Sequence, residues 1–83
     1  MTIFVANLPL TVTESELHDC FAQYGNVADV RIAQDRITGN FRGFGFVTMP
    51  DDHEAIVAIR ELDGRDWDGR AIHVDVARER VAR

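Results

Sequence analysis

The 83 residues include one cysteine, Cys20, two prolines, one tryptophan and no lysine. A lone cysteine excludes a disulfide framework and a zinc site built on cysteine pairs. The longest uninterrupted apolar run, Ala55 to Ile59, is five residues, where about 20 are needed to cross a bilayer as a helix. No basic segment followed by an apolar stretch opens the chain, so no signal peptide is expected and the expected location is cytoplasmic, with the nucleus as the alternative in a eukaryote. A surplus of positive charge is also missing. Fourteen Asp and Glu stand against nine Arg, a net charge of -5, so the whole molecule has no basic field to draw in a polyanion.

What charge there is falls unevenly. Residues 1 to 30 hold four acids and no arginine, whereas residues 31 to 47 hold Arg31, Arg36 and Arg42 against Asp35 alone. Residues 76 to 83 hold Arg78, Arg80 and Arg83 against Glu79, and the other acids lie between Asp51 and Asp75. Arginine both stacks on rings and forks onto phosphate. Apolar content of 46% and charged content of 28% are those of a folded protein. The length predicts one domain, residues 1–83, with a core over about residues 2–77 and a tail from 78 to 83.

The pattern predicts six elements. Ile3 to Ala6 reads as a strand ended by Asn7-Leu8-Pro9. Thr13 and Glu16 have capping-box spacing, Val12 and Leu17 that of a hydrophobic staple, and Gly25 is placed to end the helix they open. Leu17, Cys20, Phe21 and Tyr24 form its buried stripe. Val27 to Ala33 reads as the second strand, with Val30 and Ile32 inward and Arg31 outward. Thr38-Gly39-Asn40 is a turn signal before the third. Asp51 and Glu54 repeat the capping spacing, Ala55, Ala58, Ile59 and Leu62 give the second stripe, and Asp63-Gly64 ends it. Ala71 to Ala77 is the last strand, with Ile72, Val74 and Val76 inward. The order βαββαβ, with right-handed crossovers, predicts an α+β fold: a four-stranded antiparallel sheet, two helices on one face, and the first and third strands central.

The third strand, RGFGFVTM over residues 42 to 49, is the most informative. Alternation puts Arg42, Phe44 and Phe46 on one face and Gly43, Gly45, Val47 and Met49 on the other. If the glycine face lies under the helices, the rings point outward. Phe4 then joins Phe44 and Phe46 on an uncovered central surface, a platform beside a cation.

With these residues the chain resembles the RNA recognition motif family over essentially its whole length. RGFGFVTM matches the family octapeptide at every defined position except the last, where Met49 replaces an aromatic, and IFVANL, residues 3 to 8, matches the companion hexapeptide. Start and end close to the motif also resemble small single-motif proteins of bacteria. The resemblance implies a ferredoxin-like sandwich and single-stranded RNA lying across the sheet, with single-stranded DNA as a weaker ligand. It implies that Phe4 and Phe44 stack on bases, that Phe46 presses on a base or sugars, and that Arg42 pairs with phosphate. Asn7 is expected to fix the following loop. Arg31, Arg78 and Arg80 are further candidate phosphate contacts, and His73 and Asp75 candidate base contacts on the last strand. No cofactor, metal or catalytic group is implied, and a monomer is expected.

Three readings compete at these residues. The rings could be a core covered by an extension or a second copy, and the arginines could be a solvated surface. Arg65-Asp66-Trp67 also resembles the Arg-x-Phe of relatives that grip a protein ligand between the second helix and last strand. Glu14, Glu16 and Asp19 supply the acidic first helix such relatives have, and Val57 lies on the outer side of the second helix. Those relatives have degraded aromatic motifs, unlike this chain. Trp67 as a plug closing the core end is the plain alternative.

Overall fold

The computed structural model describes residues 1–9, 11–35 and 42–77, with the side chains of residues 34, 35 and 42 outside that description. Thr13 opens helix α1 (Glu14–Ala22) with a reciprocal pair of bonds. Its Oγ1 accepts from the Glu16 N–H at 3.1 Å, and its own N–H donates to Glu16 Oε1 at 2.9 Å. Two of the free donors at the helix start are satisfied in this way. Helix α2 (Asp52–Leu62) forms only half of the expected box. Asp51 Oδ1 accepts from the Glu54 N–H at 3.1 Å, but the Glu54 carboxylate accepts instead from the Asn26 N–H at 3.1 Å. That detour explains Gly25, which was expected to end α1. The helix already closes at Gln23 in right-handed conformation, and a Cβ on Gly25 would overlap the Glu54 side chain.

Strands β1 (Thr2–Leu8), β2 (Asp29–Asp35), β3 (Arg42–Thr48) and β6 (His73–Val76) form one antiparallel sheet in the order β2-β3-β1-β6. The two helices cover one face, giving the ferredoxin-like α+β sandwich. Ile3, Val5, Val47, Met49, Ile72 and Val74 from the sheet side meet Leu17, Phe21, Ala55, Ala58 and Leu62 from the helices, all buried. Full burial of the larger of these side chains stabilises by roughly 1.5–3 kcal/mol each. Met49 is in this core, so the one departure from the octapeptide changes packing and not the open face. Among the described residues no helix is long and apolar enough to cross a membrane.

One irregularity sets the end of β1. Val5 pairs with Gly45, but Leu8 pairs with Gly43, a register shift of one residue. Asn7, at φ 63°, makes the left-handed step, a conformation asparagine tolerates better than most residues. Strict alternation would put Leu8 on the face of Phe4; the bulge turns it into the core, where it is fully buried. The Asn7 side chain does not fix the loop that follows, as expected, but donates from Nδ2 to the Ala71 carbonyl at 3.0 Å.

The predicted last strand is divided. Asp66–Trp67 (β4) and Arg70–Ala71 (β5) form a small hairpin, and β6 follows at His73. Asp68 and Gly69 both have positive φ, 52° and 86°, as a two-residue type I′ turn requires. Ala71 therefore belongs to the hairpin. Val76 was expected inward but is 38% exposed, because among the described residues β6 pairs with β1 alone and has no neighbour on its outer side.

Candidate nucleic-acid interface

The open face of the sheet is organised in rows across the strands. In one row Arg31 of β2 pairs with Phe46 of β3, Phe46 with Phe4 of β1, and Phe4 with Asp75 of β6. Beside it, Ala33 pairs with Phe44 and Ala6 with His73. The three rings therefore meet in the middle. Their centroids are 5.5 Å apart for Phe4 and Phe46, 6.2 Å for Phe4 and Phe44, and 6.3 Å for Phe44 and Phe46. They are tilted or edge-on rather than flat on one another, the arrangement aromatic quadrupoles prefer. None of the three is in the core, and Phe46 is 38% exposed.

Beneath the rings the two glycines have different reasons. A Cβ on Gly45 would lie 2.6 Å from the Arg31 carbonyl oxygen and 3.3 Å from Leu17 Cδ2, so here α1 and the neighbouring strand do need an empty position. Gly43 was expected to admit a helix. Its nearest neighbours are instead Leu8 O at 3.4 Å and Leu8 Cβ at 3.5 Å, the residue turned inward by the bulge.

Charge lies at the two edges of the platform. Arg31 is outward as expected and 80% exposed, with Nε 3.2 Å from Asp29 Oδ2 on the same strand face. So exposed a pair holds little energy; Arg31 stands opposite Phe46 in the strand register. Asp29 was missed from sequence, although i, i+2 spacing on a strand places both side chains on one face. At the other edge His73 and Asp75 are exposed on β6, as expected. Asp75 Oδ1 accepts from the Val76 N–H at 2.8 Å, and Asp63 Oδ1 accepts from the Val74 N–H at 2.9 Å and lies 3.4 Å from His73 Nδ1. The Arg42 side chain and all of Arg36, Arg78, Arg80 and Arg83 lie outside the described residues.

The Arg65-Asp66-Trp67 triplet is on the helical side. Trp67 is half-buried and packs against the core, which fits the plug, and Arg65 Nη2 is 3.5 Å from Tyr24 Oη. With Glu16, Asp19, Cys20 and Gln23 these residues line a groove of about 450 Å³. Burial pushes the Cys20 thiol up, against the pull of the Arg65 guanidinium, so it is not an activated nucleophile. Val57 is half-buried, and the exposed apolar side chain of α2 is its neighbour Ile56.

A family model described as the RNA recognition motif matches residues 3–73. The chain belongs to the RNA recognition motif family. It is 48% identical over 83 residues to RbpB of Nostoc sp., a match covering 100% of this chain and 81% of RbpB. It is 49% identical over 81 residues to the chloroplastic RNA-binding protein CP31B of Arabidopsis thaliana, covering 98% of this chain but only 28% of CP31B. The crystal structure of RNA-binding protein PG1 superposes with a TM-score of 0.84 at 44% identity, covering 99% of both chains. The sandwich, the strand order and the two aromatic strands are thus this motif's, built here with a left-handed asparagine at the end of β1 and an acidic residue opposite Phe4.

Proposed function

We propose that the protein binds single-stranded RNA across the open face of its sheet, as a monomer, in post-transcriptional regulation or RNA chaperoning. The observation that carries this reading is the meeting of Phe4, Phe44 and Phe46 on a face that, among the described residues, no helix covers. Every base has a face to stack, so exposed rings held at fixed tilts suit a flexible single strand. Phe4 and Phe44 take bases, Phe46 takes a base or the sugars between, and Arg31 and Arg42 meet phosphate. His73 and Asp75 contact a base at the far edge, and Arg78 and Arg80 add charge beyond it.

Net charge favours this face over the other. The two helices hold six carboxylates, Glu14, Glu16, Asp19, Asp52, Glu54 and Glu61, against Arg60 alone, and so repel a phosphate backbone. Two stacked bases and about two phosphate contacts, less the cost of association, give roughly micromolar affinity. Relatives named as RNA-binding support the reading, while intact aromatic strands and a Trp67 packed on the core disfavour the protein-binding alternative. RbpB, 81% of which the match covers, is from a cyanobacterium, and the cytoplasm is the compartment this reading implies. Selection from randomised short RNAs, then titration of the winner against the same sequence as single-stranded DNA, tests it. RNA should bind at micromolar concentration and DNA more weakly; no enrichment from the pool would sink the proposal.

A further inference from the structure

The strand at the far edge of the platform presents a one-sided set of hydrogen-bonding groups. Among the described residues β6 is an edge strand, and an edge ordinarily offers free N–H groups along with carbonyls. Here the Val74 N–H is taken by Asp63 Oδ1 at 2.9 Å and the Val76 N–H by Asp75 Oδ1 at 2.8 Å. The same Asp63 oxygen stands 3.4 Å from His73 Nδ1. Among the described residues, β6 raises His73 opposite Ala6 and Asp75 opposite Phe4 beside the platform, and the Asp75 carboxylate offers only acceptors. Asp75 keeps Oδ2, and the second lone pair of Oδ1, for a ligand.

The four bases differ in how they meet such an edge. Guanine's Watson–Crick edge has two adjacent donors, N1–H and the N2 amino group. Adenine and cytosine have one amino group beside a ring-nitrogen acceptor, and uracil has one N–H between two carbonyls. A carboxylate can take two parallel bonds from guanine; from any other base it takes one at most and brings its second oxygen against an acceptor. Cross-strand neighbours have Cβ atoms about 4.5–5.5 Å apart, so a base stacked on Phe4 can carry its hydrogen-bonding edge over β6 to Asp75.

We infer that Asp75 makes the platform select guanine at the base stacked on Phe4. This rests on the RNA-binding reading above and adds the base to it. Its discrimination is partly repulsive, since a wrong base leaves the carboxylate facing an acceptor. The fixed Oδ1 to Val76 bond holds the carboxylate against rotation, which a free surface aspartate would lack.

The test is titration at one salt concentration of short RNAs that differ by a single G, A, C or U at each position in turn. At one position the wild type should prefer guanine about tenfold, the discrimination of one bidentate pair. Inosine there, which keeps N1–H and lacks the amino group, should cost about fivefold. Asp75→Asn retains an oxygen for the Val76 N–H but replaces the second acceptor with a donor. Its guanine preference should collapse, the inosine penalty should vanish, and RNAs with A, C or U should bind as well or better because a negative charge is gone. The inference is overturned if Asp75→Asn shifts all four RNAs equally, or if the wild type has no guanine position. Failure of the underlying reading looks different: no RNA binds at all, or Phe44→Ala leaves every affinity unchanged.

Discussion

Phe4 and Phe46 face each other across neighbouring strands with ring centroids 5.5 Å apart and planes at 50°. Neither covers the other, and Phe44 lies edge-on to Phe46 at 89°. Each ring buttresses the next while its outer face stays available. A platform held this way needs little ordering when a ligand arrives, which matters when few contacts share the cost of association.

Replacing one ring should therefore harm binding much more than folding. Phe4→Ala or Phe44→Ala should weaken short-RNA binding about tenfold, from a lost stack of roughly 1–3 kcal/mol. Unfolding stability should fall by only about 1 kcal/mol, the ring-to-ring contribution. Anisotropy titration and urea unfolding read the two quantities separately. A stability loss of about 3–5 kcal/mol, as for a core phenylalanine, would mean that the rings are packing and not a platform.

Binding should depend weakly on salt. With about two phosphates neutralised on a single strand, log affinity against log salt should have a slope of roughly -1.4. Titrations across a series of salt concentrations measure it. A slope several times steeper would mean that charge, despite the net -5, carries the affinity and that stacking is secondary.

The two glycines of β3 should respond oppositely to alanine. At Gly45 the new Cβ meets a backbone oxygen at 2.6 Å, which cannot swing aside, so Gly45→Ala should destabilise by about 1–3 kcal/mol. At Gly43 the nearest atom is at 3.4 Å, an ordinary contact. Gly43→Ala should be neutral, or gain up to about 1 kcal/mol by restricting the unfolded chain. Urea midpoints of the two variants decide it; equal losses would mean that Gly43 is as crowded as Gly45.

Sequence and structure agree where local chemistry is self-contained. Thr13 and Glu16 are three residues apart and close their box without help, so the start of α1 is legible from four letters. At Asp51 and Glu54 the same spacing was misleading, because the competing partner Asn26 is 28 positions away and spacing cannot see it. The rings were legible because glycine alternating with phenylalanine leaves one sensible face assignment. Asp68-Gly69 did signal a turn, yet two-residue strands are too short to alternate, and the hairpin was hidden inside what read as the approach to the last strand. Asn7 and Asp63 were illegible as edge-makers, since one bonds to Ala71 and the other to Val74, and such contacts exist only once the sheet is assembled.

The arginine-rich end should matter for RNA and not for folding. The last hydrogen bond tying this end to the sheet within the described residues is the Ala77 N–H donating to the Thr2 carbonyl at 2.9 Å. A chain cut after Ala77 keeps that bond, the core formed by the described residues and all three rings. It loses Arg78, Arg80 and Arg83 against one glutamate, a net of two positive charges from a molecule that is otherwise acidic. β6 ends at Val76, one residue past Asp75, which pairs with Phe4, and a charge acts on a bound phosphate over about 8–10 Å at ordinary salt. Truncation should thus weaken RNA binding and bring the salt slope closer to zero, with the Tm nearly unchanged. Unchanged affinity would reduce the end to a solvated tail. A large fall in Tm would instead mean that Val81 and its neighbours pack on the domain, and if affinity rose at the same time, that they cover Phe4, Phe44 and Phe46 until RNA displaces them.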